Sequence, residues 1–255
     1  MTIAQSRESF EREILHLQSL TSRSIDGLIN SVSTETKDFS LLKELHAIGM
    51  LIVFFGRIVD EIDTHKVSAE NYKRAYDATT HLVRSGYRRI AAISNPVLLS
   101  ITKERLAGYK VALADNGIEA NDALVKYCQH GGMIFSEVEE VMRELFELEH
   151  KPDAIFATAD KLTTNCLRLL KARKIKVPGD IGLIGFSNTD LTELLDPPLS
   201  IIKQPAFEMG EIAMGLLLKL IESKRPVTEF ETKILSTELL IRGSTRNVNK
   251  KEQVV

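Results

Sequence analysis

Four short runs of almost unbroken apolar residues constrain this chain more than any other feature: Leu51 to Phe55, Ile90 to Ile93, Ala154 to Ala157 and Ile181 to Phe186. A strand with one wet face alternates apolar and polar side chains. A run with no polar position has to bury both faces, which is the condition of a parallel sheet covered by helices on each side.

The stretches between these runs carry helical stripes. Tyr72, Ala75, Tyr76, Thr79, Leu82 and Val83 share one face and Gly86 ends it, while Leu106, Tyr109 and Leu113 mark another helix stopped near Gly117. Earlier, a possible strand remnant over Met1 to Ala4 precedes a helix with Phe10, Ile14 and Leu17, a strand over Ile25 to Ile29 and a helix over about residues 38 to 48. After Leu51 to Phe55 the pattern reads as a polar bend. Ser136 and Glu139 stand in capping-box spacing at the head of a helix reaching Glu149, and Asp160 is placed to cap the helix of Leu162, Cys166 and Leu169. A helix over Phe207 to Ser223, one extended segment over Ile234 to Ile241 and a polar tail from Gly243 complete the chain. The β-α rhythm predicts an α/β fold, and 255 residues leave room for two lobes.

Charge and composition narrow the function. Lys and Arg number 33 against 35 Asp and Glu, a formal charge of -2, so there is no broad attraction for a polyanion. Cys128 and Cys166 form no Cys-x-x-Cys pair and read as free buried thiols of a reducing compartment. With no export signal and no bilayer-length apolar stretch, a cytoplasmic protein without a membrane partner is expected. No acid pair, histidine cluster or nucleophile elbow supports an enzyme. Asp60, Glu61 and Asp63 beside His65 read as a solvated acidic face, Gly182 and Gly185 make no dinucleotide fingerprint, and neither metal nor cofactor is expected.

Several ordered patterns carry a resemblance. Gly86-Tyr87-Arg88-Arg89-Ile90-Ala91-Ala92-Ile93, Arg105-Leu106-Ala107-Gly108-Tyr109, Pro152-Asp153-Ala154-Ile155-Phe156-Ala157-Thr158-Ala159-Asp160, Val177-Pro178-Gly179-Asp180 leading to Ser187-Asn188, Pro198 to Pro205 and Met209-Gly210 follow one another in order. Together they resemble the lactose-repressor (LacI/GalR) family and its periplasmic-binding-protein-like core. Tyr87 stands where that family usually has His.

The resemblance implies a type I periplasmic-binding-protein-like fold: two Rossmann-like lobes with parallel sheets joined by three crossovers. One lobe would comprise residues 1–70 with 203–225, the other 71–202 with 228–245, followed by a disordered tail at 246–255. A small polar effector, with saccharides among the candidates, would lie in the cleft between them, near the carboxyl ends of the strands. A homodimer is implied. Operator DNA would be reached only through an N-terminal helix-turn-helix head outside these residues, since Met1 corresponds to a point just before the second core strand. A solute-binding receptor without a DNA role and a headless interaction subunit are the alternatives.

The family pattern also implies a set of ligand-binding residues, each with a local alternative. Arg105 matches an arginine that binds effector oxygens; otherwise it is an exposed cation in the first turn of a helix, opposing the helix dipole. Ser187 and Asn188 face the cleft or satisfy nearby backbone, and Ser187 stands where the family often has Asp. Leu99 and Ile101 make a dry wall or a packed loop. His130 lines the pocket or is an ordinary loop histidine. Asp160 caps its helix or takes a secondary part in the cleft, while Asn71 and Gln204 sit at crossovers where they can bridge the lobes.

Overall fold

A computed structural model describes residues 1–245 and divides the chain into two compact units. The first comprises residues 1–70, 97–101 and 205–236; the second comprises 71–96, 102–204 and, of the described residues, 237–245. The tail expected at 246–255 lies outside the described residues.

In chain order the elements begin with α1 (Phe10–Thr21), β1 (Leu28–Asn30), α2 (Ser40–Ala47), β2 (Ile52–Phe55) and β3 (Lys66–Ala69). Then come α3 (Asn71–Arg84), β4 (Ile90–Ser94), α4 (Ser100–Asp115), β5 (Val125–Tyr127), α5 (Phe135–Glu147), β6 (Ala154–Ala157), α6 (Asp160–Ala172), β7 (Gly182–Phe186) and β8 (Ser200–Lys203). The chain continues with α7 (Ala206–Glu222), β9 (Thr232–Leu235) and β10 (Glu238–Leu240).

The first unit holds a four-stranded parallel sheet in the order β1-β2-β3-β9. Ile52 and Phe54 of β2 pack with Leu17 of α1 and Leu42 and Leu45 of α2, whereas Val53 turns to Met209, Ala213 and Leu217 of α7. The second unit holds a six-stranded sheet in the order β10-β8-β7-β6-β4-β5, parallel except for β10 against β8. Along β4, Ala91 and Ile93 meet Val138, Met142 and Leu145 of α5 and Leu162 and Cys166 of α6, while Ile90 and Ala92 meet Leu82 of α3 and Leu106 and Tyr109 of α4. Alternate residues of each strand therefore enter different cores, and both are dry. This two-sided burial is why the strands read as continuous apolar runs.

Tyr109 shows what the Arg-x-x-Gly-aromatic pattern does structurally. Its ring stacks on Phe156 with centroids 6.1 Å apart, and its hydroxyl donates to the Ile90 carbonyl at 2.7 Å. One residue earlier, a Cβ on Gly108 would stand 2.3 Å from the Tyr72 carbonyl oxygen, so glycine is what lets α4 close onto α3.

Several expectations are corrected. Lys66–Ala69 is an inner strand rather than part of a polar bend, hidden in the sequence because Lys66 and Ser68 interrupt the apolar run. The segment Ile234 to Ile241 is not one strand: β9 pairs with β3 in the first sheet and β10 with β8 in the second. The residues around β9, grouped by expectation with the second lobe, accordingly belong to the first unit. Met1 to Ala4 form no strand. Ser136 does not cap α5, which starts one residue earlier after Ile134; Glu137 instead turns back to His130.

Candidate functional site

The strand order of the second unit creates a switch point. From β4 the chain goes to β5 on one side and comes back as β6 on the other, so the space outside the carboxyl ends of β4 and β6 is left open by the connections. Polar residues stand directly after each strand there: Ser94 and Asn95 at β4, Thr158 after β6, and Ser187 and Asn188 after β7.

Arg105 projects from α4 to this edge. It lies in the second turn of the helix, and it is buried, 5% exposed, rather than the exposed first-turn cation of the local alternative. Nη1 donates to the Thr158 carbonyl at 2.5 Å; Nε and Nη2 both donate to Asn71 Oδ1, at 3.0 and 2.8 Å. The guanidinium carbon sits 3.4 Å from the centroid of the Phe186 ring. Taking a cation out of water is costly, and an amide oxygen, a carbonyl and an aromatic face offset that cost here while holding the fork in one plane.

The neighbouring groups extend the network. Asn71, the first residue of α3, donates from Nδ2 to Glu104 at 3.0 Å, and Thr158 Oγ1 donates to Ser94 Oγ at 2.8 Å. Asn95 is 6% exposed, and its Oδ1 has no hydrogen-bond partner among the described residues. A buried acceptor without a donor is uncommon.

Ser187, buried at the end of β7, donates its hydroxyl to Asp160 Oδ1. Asp160 is the first residue of α6, whose cap position is Ala159, and no side chain caps it; the expected capping role of Asp160 does not hold. Asn188 clasps the backbone of Gln204, donating from Nδ2 to its carbonyl at 3.1 Å and accepting from its amide at 3.0 Å. This pair of hydrogen bonds lies just past the β7–β8 ladder and is the backbone-satisfying alternative for Asn188. His130, in the loop after β5, pairs through Nδ1 with Glu137 at 2.5 Å. Leu99 and Ile101 pack instead in the apolar core of the first unit with Leu17, Leu42 and Ile52. Of the acidic stretch near residue 60, Glu61 pairs with Lys43 and His65 accepts the Glu231 amide.

The structure thus links Arg105 to Asn71, Ser187 to Asp160 and Asn188 to Gln204 at one edge of one sheet. Thr158, Phe186, Ser94 and Asn95 join this edge without being among the residues that the family pattern implies. The signal was available, since each sits at or just past the end of an apolar run, where a strand of a parallel sheet delivers its carboxyl end. Surface concavities of about 190 Å³, by Asp190, Lys203 and Arg242, and about 390 Å³, by Ile3, His16 and Arg23, do not include Arg105.

Known proteins share this fold and up to about a third of the aligned sequence. The model of the periplasmic binding protein-like domain family matches residues 79–245. The HTH-type transcriptional repressor CytR of Escherichia coli (strain K12) is 31% identical over 236 residues, which is 92% of this chain and 67% of that protein. Among solved structures, the transcriptional regulator CelR-cellobiose complex matches with a TM-score of 0.80 at 29% identity, over 92% of this chain and 71% of that one. The transcription regulator CcpA of Lactococcus lactis matches with a TM-score of 0.84 at 26% identity, over 96% and 87%. The chain spans about two thirds of the length of the curated relative.

Proposed function

Because the chain belongs to the lactose-repressor-type (LacI) family of regulators and carries their periplasmic-binding-protein-like core, we propose that it senses a small polar effector at the carboxyl edge of its six-stranded sheet. The observation that carries this reading is the buried Arg105 fork, oriented by Asn71, Thr158 and Phe186 at the switch point of the sheet. A site whose donors are already fixed loses little freedom when a ligand arrives.

A saccharide suits the polar groups available. Its hydroxyls both donate and accept, so they can meet the guanidinium, the Asn95 oxygen and the Ser187–Asp160 pair together. Ser187 lacks the negative charge of the Asp frequent at its position, and Asp160 supplies a carboxylate one hydrogen bond away. An effector shifts the conformational balance only as far as it binds one state more tightly. In a cytoplasmic homodimer that bias would pass to a helix-turn-helix head and change its affinity for operator DNA, a role supported by the regulator names of the relatives. Among the described residues no helix is long and apolar enough to cross a membrane.

The test is calorimetric titration of the purified protein with cellobiose, the sugar of the CelR complex, and with a panel of other saccharides. Saturable binding that Arg105→Ala weakens at least about tenfold, with circular dichroism unchanged, supports the reading. A bound saccharide indifferent to Arg105→Ala sinks it. Operator retardation by a full-length protein with and without that effector separates a regulator from a solute receptor.

A further inference from the structure

The end of the six-stranded sheet away from the Arg105 network carries a surface of its own. Ile90 pairs with Ala154 and Ala154 with Gly182, so β4, β6 and β7 start on one rung, and two strand spacings bring the segments entering them within about 10 Å. α3 and α6 run back between strands and end at the same edge, which adds Arg84, Lys171, Arg173 and Lys174 to the strand-entry cations Arg88, Lys151 and Lys176. Residues 84–89, 147–153 and 171–180 together hold eight Lys and Arg against four Asp and Glu, in a chain whose formal charge is -2.

Most of the acids at this edge are already engaged. Asp153 accepts the backbone amides of Arg88 and Arg89 at 2.8 and 2.9 Å, Asp180 accepts that of Lys176 at 2.8 Å, and Glu147 pairs with Arg143. The cations are in the opposite state. Arg84, Lys151, Lys171, Arg173, Lys174 and Lys176 are exposed and form no ion pair among the described residues; those of the second unit fall to other cations, such as Lys73, Lys126 and Arg143. Opposition to a helix dipole accounts for Arg84 and Lys171, each in the last turn of its helix, but not for the cations that follow. Lys174 has φ of 58° and closes α6, its amide donating to Lys171 at 3.0 Å while that of Ile175 donates to Leu170 at 2.9 Å. Glycine fills that position at least cost, so a lysine there gives up stability and adds a charge to the cluster.

Among the described residues, no exposed large apolar side chain falls in these three segments. Protein partners are anchored by aromatic and aliphatic side chains, single-stranded nucleic acid by aromatic stacking, and a membrane surface by an apolar face or a lipid chain in addition to charge. The phosphates of a duplex ask only for cations. We propose that this amino edge, centred on Lys171, Lys174 and Lys176, holds the phosphate backbone of duplex DNA without reading its sequence. The contact is independent of operator recognition and lies at the opposite end of the strands from the effector edge.

The experiment follows the fluorescence anisotropy of a labelled mixed-sequence duplex of about 30 base pairs, titrated with the 255-residue chain between about 50 and 200 mM salt. A Kd of about 10⁻⁵ M at the lowest salt is expected, equal for a second, unrelated duplex, with log affinity falling against log salt at a slope of about −3. Replacing Lys171, Lys174 and Lys176 together by Gln should weaken binding at least about tenfold and flatten that slope by about 2 to 3, with circular dichroism unchanged. The same substitution at Lys37, Lys110 and Lys224, which removes equal charge elsewhere, should leave both as they are. Lys174→Gly separates the two roles of that residue: it should raise the urea midpoint and still weaken binding. No binding at the lowest salt, binding indifferent to the cluster, or an equal loss in the control triple overturns the proposal. So does tighter binding of a single strand of the same length, of poly-glutamate or of phosphatidylserine vesicles, each of which would assign the face to another class of partner. No saccharide and no Arg105 variant enters this test, so its failure and that of the effector reading are distinguishable.

Discussion

Asn71 Oδ1 accepts two hydrogen bonds from the Arg105 guanidinium, and the same side-chain amide donates to Glu104. A residue at the start of α3 thereby sets the plane of a fork presented by α4. Removing this orienting group leaves the charge in place and loosens its direction. Asn71→Ala is expected to weaken effector binding by about tenfold and to cost about 1–3 kcal/mol of stability, since buried donors lose their acceptor. Calorimetry and urea unfolding check the two effects; unchanged affinity would show that the orientation is unimportant. Arg105→Lys, which cannot reproduce the fork, should lose at least as much affinity.

Gly108→Ala places a methyl group 2.3 Å from the Tyr72 carbonyl oxygen and 2.9 Å from the Tyr76 amide nitrogen. Both obstacles are backbone, so α3 and α4 must separate. The expected cost is about 1–3 kcal/mol, measured as a lower midpoint in denaturant, as overpacking typically exacts. A midpoint within error of the unaltered chain would contradict the close approach of the two helices.

Burial holds the His65 imidazole below its ordinary pKa of 6.5; Glu231 acts in the opposite direction and Lys219 in the same one. Its Nδ1 accepts the Glu231 amide at 2.9 Å, and its ring meets Phe230 edge to face at 5.5 Å, so the neutral ring is the one that secures the approach to β9. The unfolded chain takes up this proton at higher pH than the folded one. His65 therefore contributes stability fully present above about pH 6.5 and lost as pH falls from there through the folded value. Urea midpoints between pH 8 and 5.5 should decline, with a smaller slope in His65→Asn. A slope remains from His81, which burial shifts the same way. An identical slope in the variant would remove His65 from the account.

Cys128 and Cys166 are both free and buried, and burial pushes the Cys128 thiol up to about 12 and the Cys166 thiol further still. Only the thiolate reacts at a useful rate. An aromatic disulfide reagent at pH 8 should therefore label both thiols only as fast as the protein opens, and both at once in denaturant. Fast labelling of either thiol in the native protein would show that the core around α6 admits solvent.

Much of the architecture was legible because burial on both faces writes itself into a strand. Ile90 to Ile93 and Ala154 to Ala157 carry no polar residue, and their neighbours Leu82, Tyr109, Met142 and Leu162 each belong to an apolar stripe of a different helix. β3 is not legible for the same reason in reverse, since Lys66 and Ser68 break its apolar run although the strand lies between β2 and β9. The site was half legible. Arg105, Asn71, Ser187, Asn188, Asp160 and Gln204 are candidates through the family resemblance, but nothing in the sequence says which of them bond to one another or that Thr158 and Phe186 flank Arg105, and adjacency to a helix start suggests a capping role that Asp160 does not take.

The sequence alone determined which faces are dry, hence an α/β chain with helix-covered parallel sheets and polar residues at the strand ends. Only the tertiary structure decided that Ile234 to Ile241 serves two sheets, that Leu99 enters the first unit's core, and that Asn71 meets Arg105 across 34 residues and Ser187 meets Asp160 across 27. Periodicity records whether a side chain leaves water, a property of one residue and its near neighbours. A hydrogen-bond partner or a strand neighbour depends on where distant backbone segments arrive, and that is set by the packing of all the elements together.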